Sequence, residues 1–215
     1  MWNPFSGLNK KRKPFSHTSE NFAQANNSFS IELENGVKLE VVEFPDMSGK
    51  EFVDYVKKNN PEINFLEAVV DTEFLLDATH NIAEKSLFVK DKGIYSLGMD
   101  PCSYVTFVAE DGVFLYHWFP LRGSDVTGTL KKILQENLEK IDEKVTLLYG
   151  PGTGFVEWKI KSIIENAIEK LEKISSIFQL NKPKIKKQDS LVHVAVLPPD
   201  ENRKAKIIIS KKLSE

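Results

Sequence analysis

The sequence predicts a layered α/β sandwich: a mixed or antiparallel sheet with two principal helices packed on it. Three observations carry that expectation. SIELENGVKLEVVEF over 30–44 reads as two strands of period two, and SYVTFVA and GVFLYHW over 103–118 read as two more strands across Glu110-Asp111-Gly112. Their connections contain Asn35-Gly36 and Asp111-Gly112, residues that accept the positive φ of tight hairpin turns. Two segments beyond residue 125 have apolar residues at helical spacing instead. Strands that bury one face and helices that bury one stripe must cover each other, which gives layers.

Each element follows in chain order. Residues 1–27 read as a flexible basic leader, because Lys10, Lys11, Arg12 and Lys13 sit in a Ser-, Asn- and Phe-containing stretch with little apolar surface to offset the entropy of ordering. The hairpin around Glu34-Asn35-Gly36 opens the ordered part. Ser48 caps a short helix, GKEFVDYVKKN, which ends before Pro61 because the residue preceding proline disfavours helical angles. The next stretch, INFLEAVVDTEFLLDATHNIAEK, fits a helix or a strand plus loop equally. SLFVK and GIYSLG read as two strands across the turn Lys90-Asp91-Lys92-Gly93, and SYVTFVA and GVFLYHW as a second hairpin.

Asp125 caps a helix running to about Ile141, with Leu130, Ile133, Leu134, Leu138 and Ile141 on one stripe. KVTLLYG is a strand, and GPGTG over 150–154 leads into one long amphipathic helix, FVEWKIKSIIENAIEKLEKISSIF. KPKIKKQDS over 182–190 reads as a connecting loop. Two strands, LVHVAVL and KAKIIIS, flank the turn around Pro198, Pro199 and Asp200. The organisation expected is therefore a leader over 1–27, a hairpin and helix region over 28–85, and a core over 86–215.

Composition narrows the function classes. With 215 residues, 41% hydrophobic, 28% charged and a net charge of −2, the chain is long enough for one large or two small globular domains. A single cysteine excludes an internal disulfide and leaves too few thiolates for a Cys-type structural zinc site. No apolar run approaches the roughly 18 residues of a membrane-spanning helix. The first twenty residues carry charges where a secretory signal has its apolar stretch, so the chain is expected to be cytoplasmic as synthesised, any export being without a cleavable signal peptide. The basic stretches lack interleaved aromatics, which argues against nucleic acid as a partner.

The chemistry-bearing residues are few. GPGTG has neither the Lys-Ser/Thr ending of a P-loop nor GxGxxG spacing, so a tight strand-to-helix turn is the reading favoured over a phosphate cradle. Four histidines with no HExxH pattern and no Cys/His cluster give no support for a metal. His17 lies in the leader, His80 has no partner in the pattern, and His193 is a packed or edge residue of an apolar strand. Cys102 and His117 remain. Counting back and forward from Asp111-Gly112 puts them within one or two rungs of each other on paired strands about 4.8 Å apart.

Two readings of Cys102 stand side by side. A lone cysteine behaves as a small hydrophobe and is commonly core packing. Cys102 also follows Gly98 and Pro101 at the head of a strand, with a histidine on the neighbouring strand and Ser96 just before the loop, an arrangement suited to a thiol nucleophile and its base.

The stretch SLGMDPC over 96–102 resembles the TLGLGSC stretch of the CheD-type chemoreceptor glutamine deamidases, and the Cys-strand-turn-strand-His order is similar to that of the catalytic domain of the cytotoxic necrotizing factor toxins. The likeness spans about residues 86–210. It implies a protein-glutamine deamidase with Cys102 as nucleophile, His117 as general base and Ser96 in place of the threonine that orients the histidine. It also implies a protein substrate with an exposed glutamine, and no cofactor. The resting state expected on this basis is a thiolate–imidazolium pair, with the thiol pKa lowered and that of the histidine raised. Where the family commonly has a Gly-Ser or Ser-Gly pair before the cysteine, this chain has Asp100-Pro101. The additional N-terminal region and basic leader favour a delivered effector or toxin over a chemotaxis enzyme. A non-catalytic interaction protein on the same fold, or a related thiol transglutaminase or protease, are the alternatives.

Overall fold

The computed structural model describes residues 25, 27–68, 88–99, 102–118, 126–150, 157–180 and 190–212. The strands are β1 (Asn27–Glu32), β2 (Lys38–Pro45), β3 (Asn64–Glu67), β4 (Val89–Lys90), β5 (Lys92–Leu97), β6 (Ser103–Ala109), β7 (Gly112–Trp118), β8 (Val145–Gly150), β9 (Ile174–Gln179), β10 (Ser190–Leu197) and β11 (Lys204–Lys212). The helices are α1 (Gly49–Asn59), α2 (Val126–Leu138) and α3 (Glu157–Ile168). The strands form two sheets, one of six in the order β1-β2-β11-β10-β5-β3 and one of five in the order β4-β7-β6-β8-β9.

Residue parity decides which face each side chain takes. Leu39, Val41, Ile94, Val194, Val196, Ile207 and Ile209 of the first sheet pack against Tyr104, Val108, Val113, Leu115 and Leu148 of the second. The alternate residues Val42, Phe44, Ala195, Leu197 and Ile208 face outward onto Phe52 and Val56 of α1. On the far side, Val105, Phe107, Phe114, Leu147 and Tyr149 pack on Leu130, Ile133 and Leu134 of α2 and on Ile160 and Ile164 of α3. Each such side chain contributes about 1.5–3 kcal/mol when fully buried.

The chain is thus α/β and layered as expected, but the described residues form four layers. α1, the six-stranded sheet, the five-stranded sheet and the α2–α3 pair follow one another. The expectation of one sheet carrying two helices is corrected here. β6 is buried at every position from Ser103 to Ala109, because the six-stranded sheet covers one face and the helices the other.

Local signals hold where a turn or cap fixes them. Gly36 has φ +78° between β1 and β2, which pair antiparallel. Ser48 and Glu51 form a capping box at the start of α1. Ala109 pairs with Gly112 across the β6–β7 turn, and β10 and β11 pair antiparallel.

Three expectations are corrected. SLFVK and GIYSLG do not form a hairpin: β4 pairs with β7 in one sheet, β5 pairs with β10 and β3 in the other, and the chain crosses between them at Asp91, whose φ is +54°. The helix expected over 155–178 is α3 only to Ile168; Lys170 takes φ +67°, and Ile174–Gln179 forms β9, parallel to β8. Lys173 then places its ammonium on the carbonyls of Leu138 and Ile141 at the end of α2, where a cation suits the helix dipole. Finally, residue 85 is no boundary between packed units, since β1, β2 and β3 share a sheet with β5, β10 and β11. Of the stretch left open between helix and strand, Asn64–Glu67 is a strand. Residues 1–24 and 26 of the leader, Asp100-Pro101, Asp125, the KPKIKKQDS loop up to residue 189, the GPGTG turn beyond Gly150 and His80 lie outside the described residues, and His17 with the leader.

Candidate active site

Sheet topology gathers one set of strand ends at one end of the inter-sheet space. β2, β3, β5 and β11 run toward it and β10 runs away from it within the first sheet; β7, β8 and β9 run toward it and β6 away from it within the second. The two sheets are joined there by the hydrogen bond between Ser96 and His117. At the opposite end, Asn35 donates to the Val108 carbonyl and Arg203 pairs with Glu110.

β5 supplies Ser96. Its pairing with Val194, an inward-facing residue, turns the hydroxyl into the inter-sheet space. β7 supplies His117, on the same face as Val113 and Leu115 and directly opposite Tyr104 of β6. Cys102 precedes β6; alternation continued from Tyr104 puts it on that same inner face, on the diagonal from His117. Diagonal neighbours in a ladder are about 7–8 Å apart, less between their side chains. The register read from the Asp111-Gly112 turn holds for the β6–β7 ladder, which sets Tyr104 opposite His117. Ser96 is 0%, His117 2% and Cys102 7% exposed.

The hydrogen bonds assign the protons. The Ser96 hydroxyl bonds to the Ala68 carbonyl, which only accepts, so its one hydrogen is committed there. Ser96 Oγ lies 2.7 Å from His117 Nδ1, and with no second hydrogen to give, it accepts the Nδ1–H. That chain assigns His117 to the tautomer with a lone pair on Nε2. Nε2 is buried and has no hydrogen-bond partner among the described residues. Burial pushes the histidine pKa down to about 4, so the ring is neutral near pH 7.

This corrects the expected resting thiolate–imidazolium pair. Such a pair needs a donor–acceptor contact at Nε2 and a histidine made more basic by a neighbouring negative charge. Instead Nε2 makes no hydrogen bond among the described residues, and desolvation makes the ring less basic. Cys102 is buried and is not in a disulfide.

Two further residues belong to this region: His193, expected as a packed or edge residue and buried here, and Tyr104, which sequence reasoning did not single out. His193 accepts the Gly98 N–H on Nδ1 at 3.2 Å and lies 3.1 Å from the Met47 carbonyl through Nε2, so it is a neutral, fully engaged histidine. It holds Gly98, at φ +65°, where the chain leaves β5 toward Cys102. Tyr104 is fully buried next to the site, and burial raises its hydroxyl pKa well above the ordinary value, so it keeps its proton. The signal for Tyr104 was the period of two itself, which puts residues 102 and 104 on one face. Among the described residues, no three His, Cys, Asp or Glu side chains converge as metal ligands. No helix among them is long and apolar enough to cross a membrane.

Comparison of the chain with protein-family models and with curated proteins gives no match.

Proposed function

We propose that the chain is a protein-glutamine deamidase, with Cys102 as nucleophile, His117 as general base and Ser96 as the residue that positions the histidine. The observation that carries the reading is the chain Ala68 carbonyl, Ser96 hydroxyl, His117 Nδ1–H, which leaves an unpartnered Nε2 lone pair on the face shared with Cys102. A third group that orients the base toward a nucleophile is the general signature of activated thiol and hydroxyl catalysis. The likeness of SLGMDPC to the CheD-type sequence supplies the substrate class, a glutamine side chain on a protein.

In this mechanism His117 Nε2 takes the Cys102 proton as the sulfur attacks the side-chain carbonyl carbon. The tetrahedral intermediate collapses with cleavage of the carbon–nitrogen bond, the imidazolium returning its proton to the departing ammonia. A water, deprotonated by the same Nε2, then hydrolyses the thioester to glutamate. General-base assistance of this kind contributes about 10² to 10⁴-fold.

The test is a proteome-wide search for glutamine-to-glutamate conversion in host-cell and bacterial lysates, with ammonia release measured on each substrate found. Cys102→Ala should reduce both to background. Ammonia release that survives Cys102→Ala, or an absence of conversion in either lysate, overturns the reading. Burial of Cys102 and His117 favours one competitor, a non-catalytic interaction protein with an inert thiol. Complete resistance of the folded chain to iodoacetamide at alkaline pH would support that competitor.

A further inference from the structure

Among the described residues, two buried side-chain polar atoms have no hydrogen-bond partner: His117 Nε2 and the Tyr104 hydroxyl. The two residues face each other across the β6–β7 ladder. Burying a polar atom without a partner costs about 1–3 kcal/mol, and native structures carry few such atoms. Two on one rung, beside a nucleophilic side chain, call for a common explanation.

Their placement is specific. Tyr104 is also opposite Gly150 of β8, and a Cβ on Gly150 would stand inside the Tyr104 ring and 2.8 Å from its hydroxyl oxygen. The missing side chain at Gly150 is therefore what gives the ring its place, and the hydroxyl lies on the β8 side of β6. His117 lies on the β7 side. Alternation continued from Tyr104 puts Cys102, just before β6, on the same face and one rung further out. The two strands beside β6 thus bring an obligate donor on one flank and an acceptor lone pair on the other, with the thiol on the line of β6 between them.

A primary carboxamide matches that arrangement: its oxygen accepts, its nitrogen donates, and its carbon lies between the two. We propose that Tyr104 is a catalytic residue, its hydroxyl donating to the carboxamide oxygen while the carboxamide N–H donates to His117 Nε2 and the carbonyl carbon sits over Cys102 Sγ. The chemistry then sorts itself by side. As the carbon–sulfur bond forms, the carbonyl π electrons move to oxygen, and the resulting oxyanion accepts the Tyr104 hydrogen bond without taking its proton. As the carbon–nitrogen bond breaks, the proton that His117 received from Cys102 is on the flank where ammonia leaves. Pro101, immediately before the nucleophile, has no backbone N–H to offer an oxyanion, and the Tyr104 hydroxyl fills that role. The reaction step rests on the deamidase reading; recognition of the carboxamide does not.

The experiment uses the full chain and Tyr104→Phe, which removes one unpartnered oxygen and so should leave folding unchanged or strengthened. The kcat/KM for glutamine deamidation should fall about 10² to 10³-fold, as for loss of one oxyanion donor. Independently of turnover, the rate of Cys102 alkylation by iodoacetamide relative to iodoethane, which has no carbonyl, should fall at least about tenfold in the variant. In the unaltered protein, propionamide should protect Cys102 from iodoethane and N,N-dimethylpropionamide, with no N–H, should not; this arm stands even if the variant folds poorly. An unchanged alkylation ratio, or equal protection by the two amides, overturns the proposal while ammonia release by the unaltered protein keeps the deamidase reading. A lowered ratio and selective protection with no ammonia release from any protein uphold the carboxamide site and reject deamidation.

Discussion

Acid should destabilise this protein through His117, and the size follows from its burial. Its pKa is about 4 in the folded chain against 6.5 for an unperturbed histidine, a gap of about two and a half pH units. At about 1.36 kcal/mol per unit, holding this ring neutral costs the fold about 3 kcal/mol once the unfolded chain is fully protonated. The folded pKa lies below the unfolded one, so between pH 4 and 6.5 the unfolded chain binds a proton that the folded chain does not. Stability therefore rises with pH through that window, is unaffected by this residue above it, and has lost the full amount below it. Urea unfolding at about pH 7.5 and about pH 4.5 should show a loss roughly 2–3 kcal/mol larger for the unaltered protein than for His117→Gln, whatever the variant's own stability. Equal losses in the two proteins, within about 0.5 kcal/mol, would refute the claim that a neutral buried imidazole occupies this site.

The same geometry sets other outcomes. The acid limb of kcat/KM for deamidation should fall near pH 4 and not near 6.5, because the free enzyme's base titrates there; a limb at 6.5 would mean a solvated histidine. Alkylation of Cys102 in the absence of substrate should depend on pH in the same way in the unaltered protein and in His117→Ala, and a rate that stays flat to about pH 6 in the unaltered protein alone would restore the resting ion pair. Ser96→Ala strands the Ala68 carbonyl and the Nδ1–H, so it should cost about 1–3 kcal/mol in chemical denaturation. Its kcat should drop roughly 10- to 10²-fold, less than Cys102→Ala, because the imidazole still samples its working tautomer; equal losses in the two variants would contradict that ranking.

The legible parts of this fold are those fixed by neighbours in sequence. The Gly36 turn, the Ser48 capping box and the Asp111-Gly112 turn each need only a few adjacent residues, and the last fixes the register that brings His117 opposite Tyr104. Partner choice between strands was not legible, because period two gives a strand two faces without saying what covers them. Residues 86–97 look like a hairpin in isolation, yet one backbone reversal at Asp91 sends β4 and β5 to different sheets. The helix extended through Ile174–Gln179 failed for a similar reason: Ile, Leu and Phe at mixed spacing fit either period until β8 offers a parallel partner. At the site, the residue types could be picked out but not their charge state. That depends on the six-stranded sheet packed over β7, which turns an exposed rim histidine into a buried one.

Burial decides how a thiol site of this kind operates. With its ring held neutral by burial and no hydrogen-bond partner for Nε2 among the described residues, His117 supplies no resting positive charge to hold a thiolate. On the proposed mechanism the thiol proton has to move as the carbon–sulfur bond forms. In that regime the site depends less on a stored thiolate than on where Nε2 points and on what meets the developing oxyanion. Ser96 sets the first through the inter-sheet hydrogen bond from β5 to β7, and on the proposal made above the ring of Tyr104, seated over Gly150 of the neighbouring strand in its own sheet, places a hydroxyl for the second.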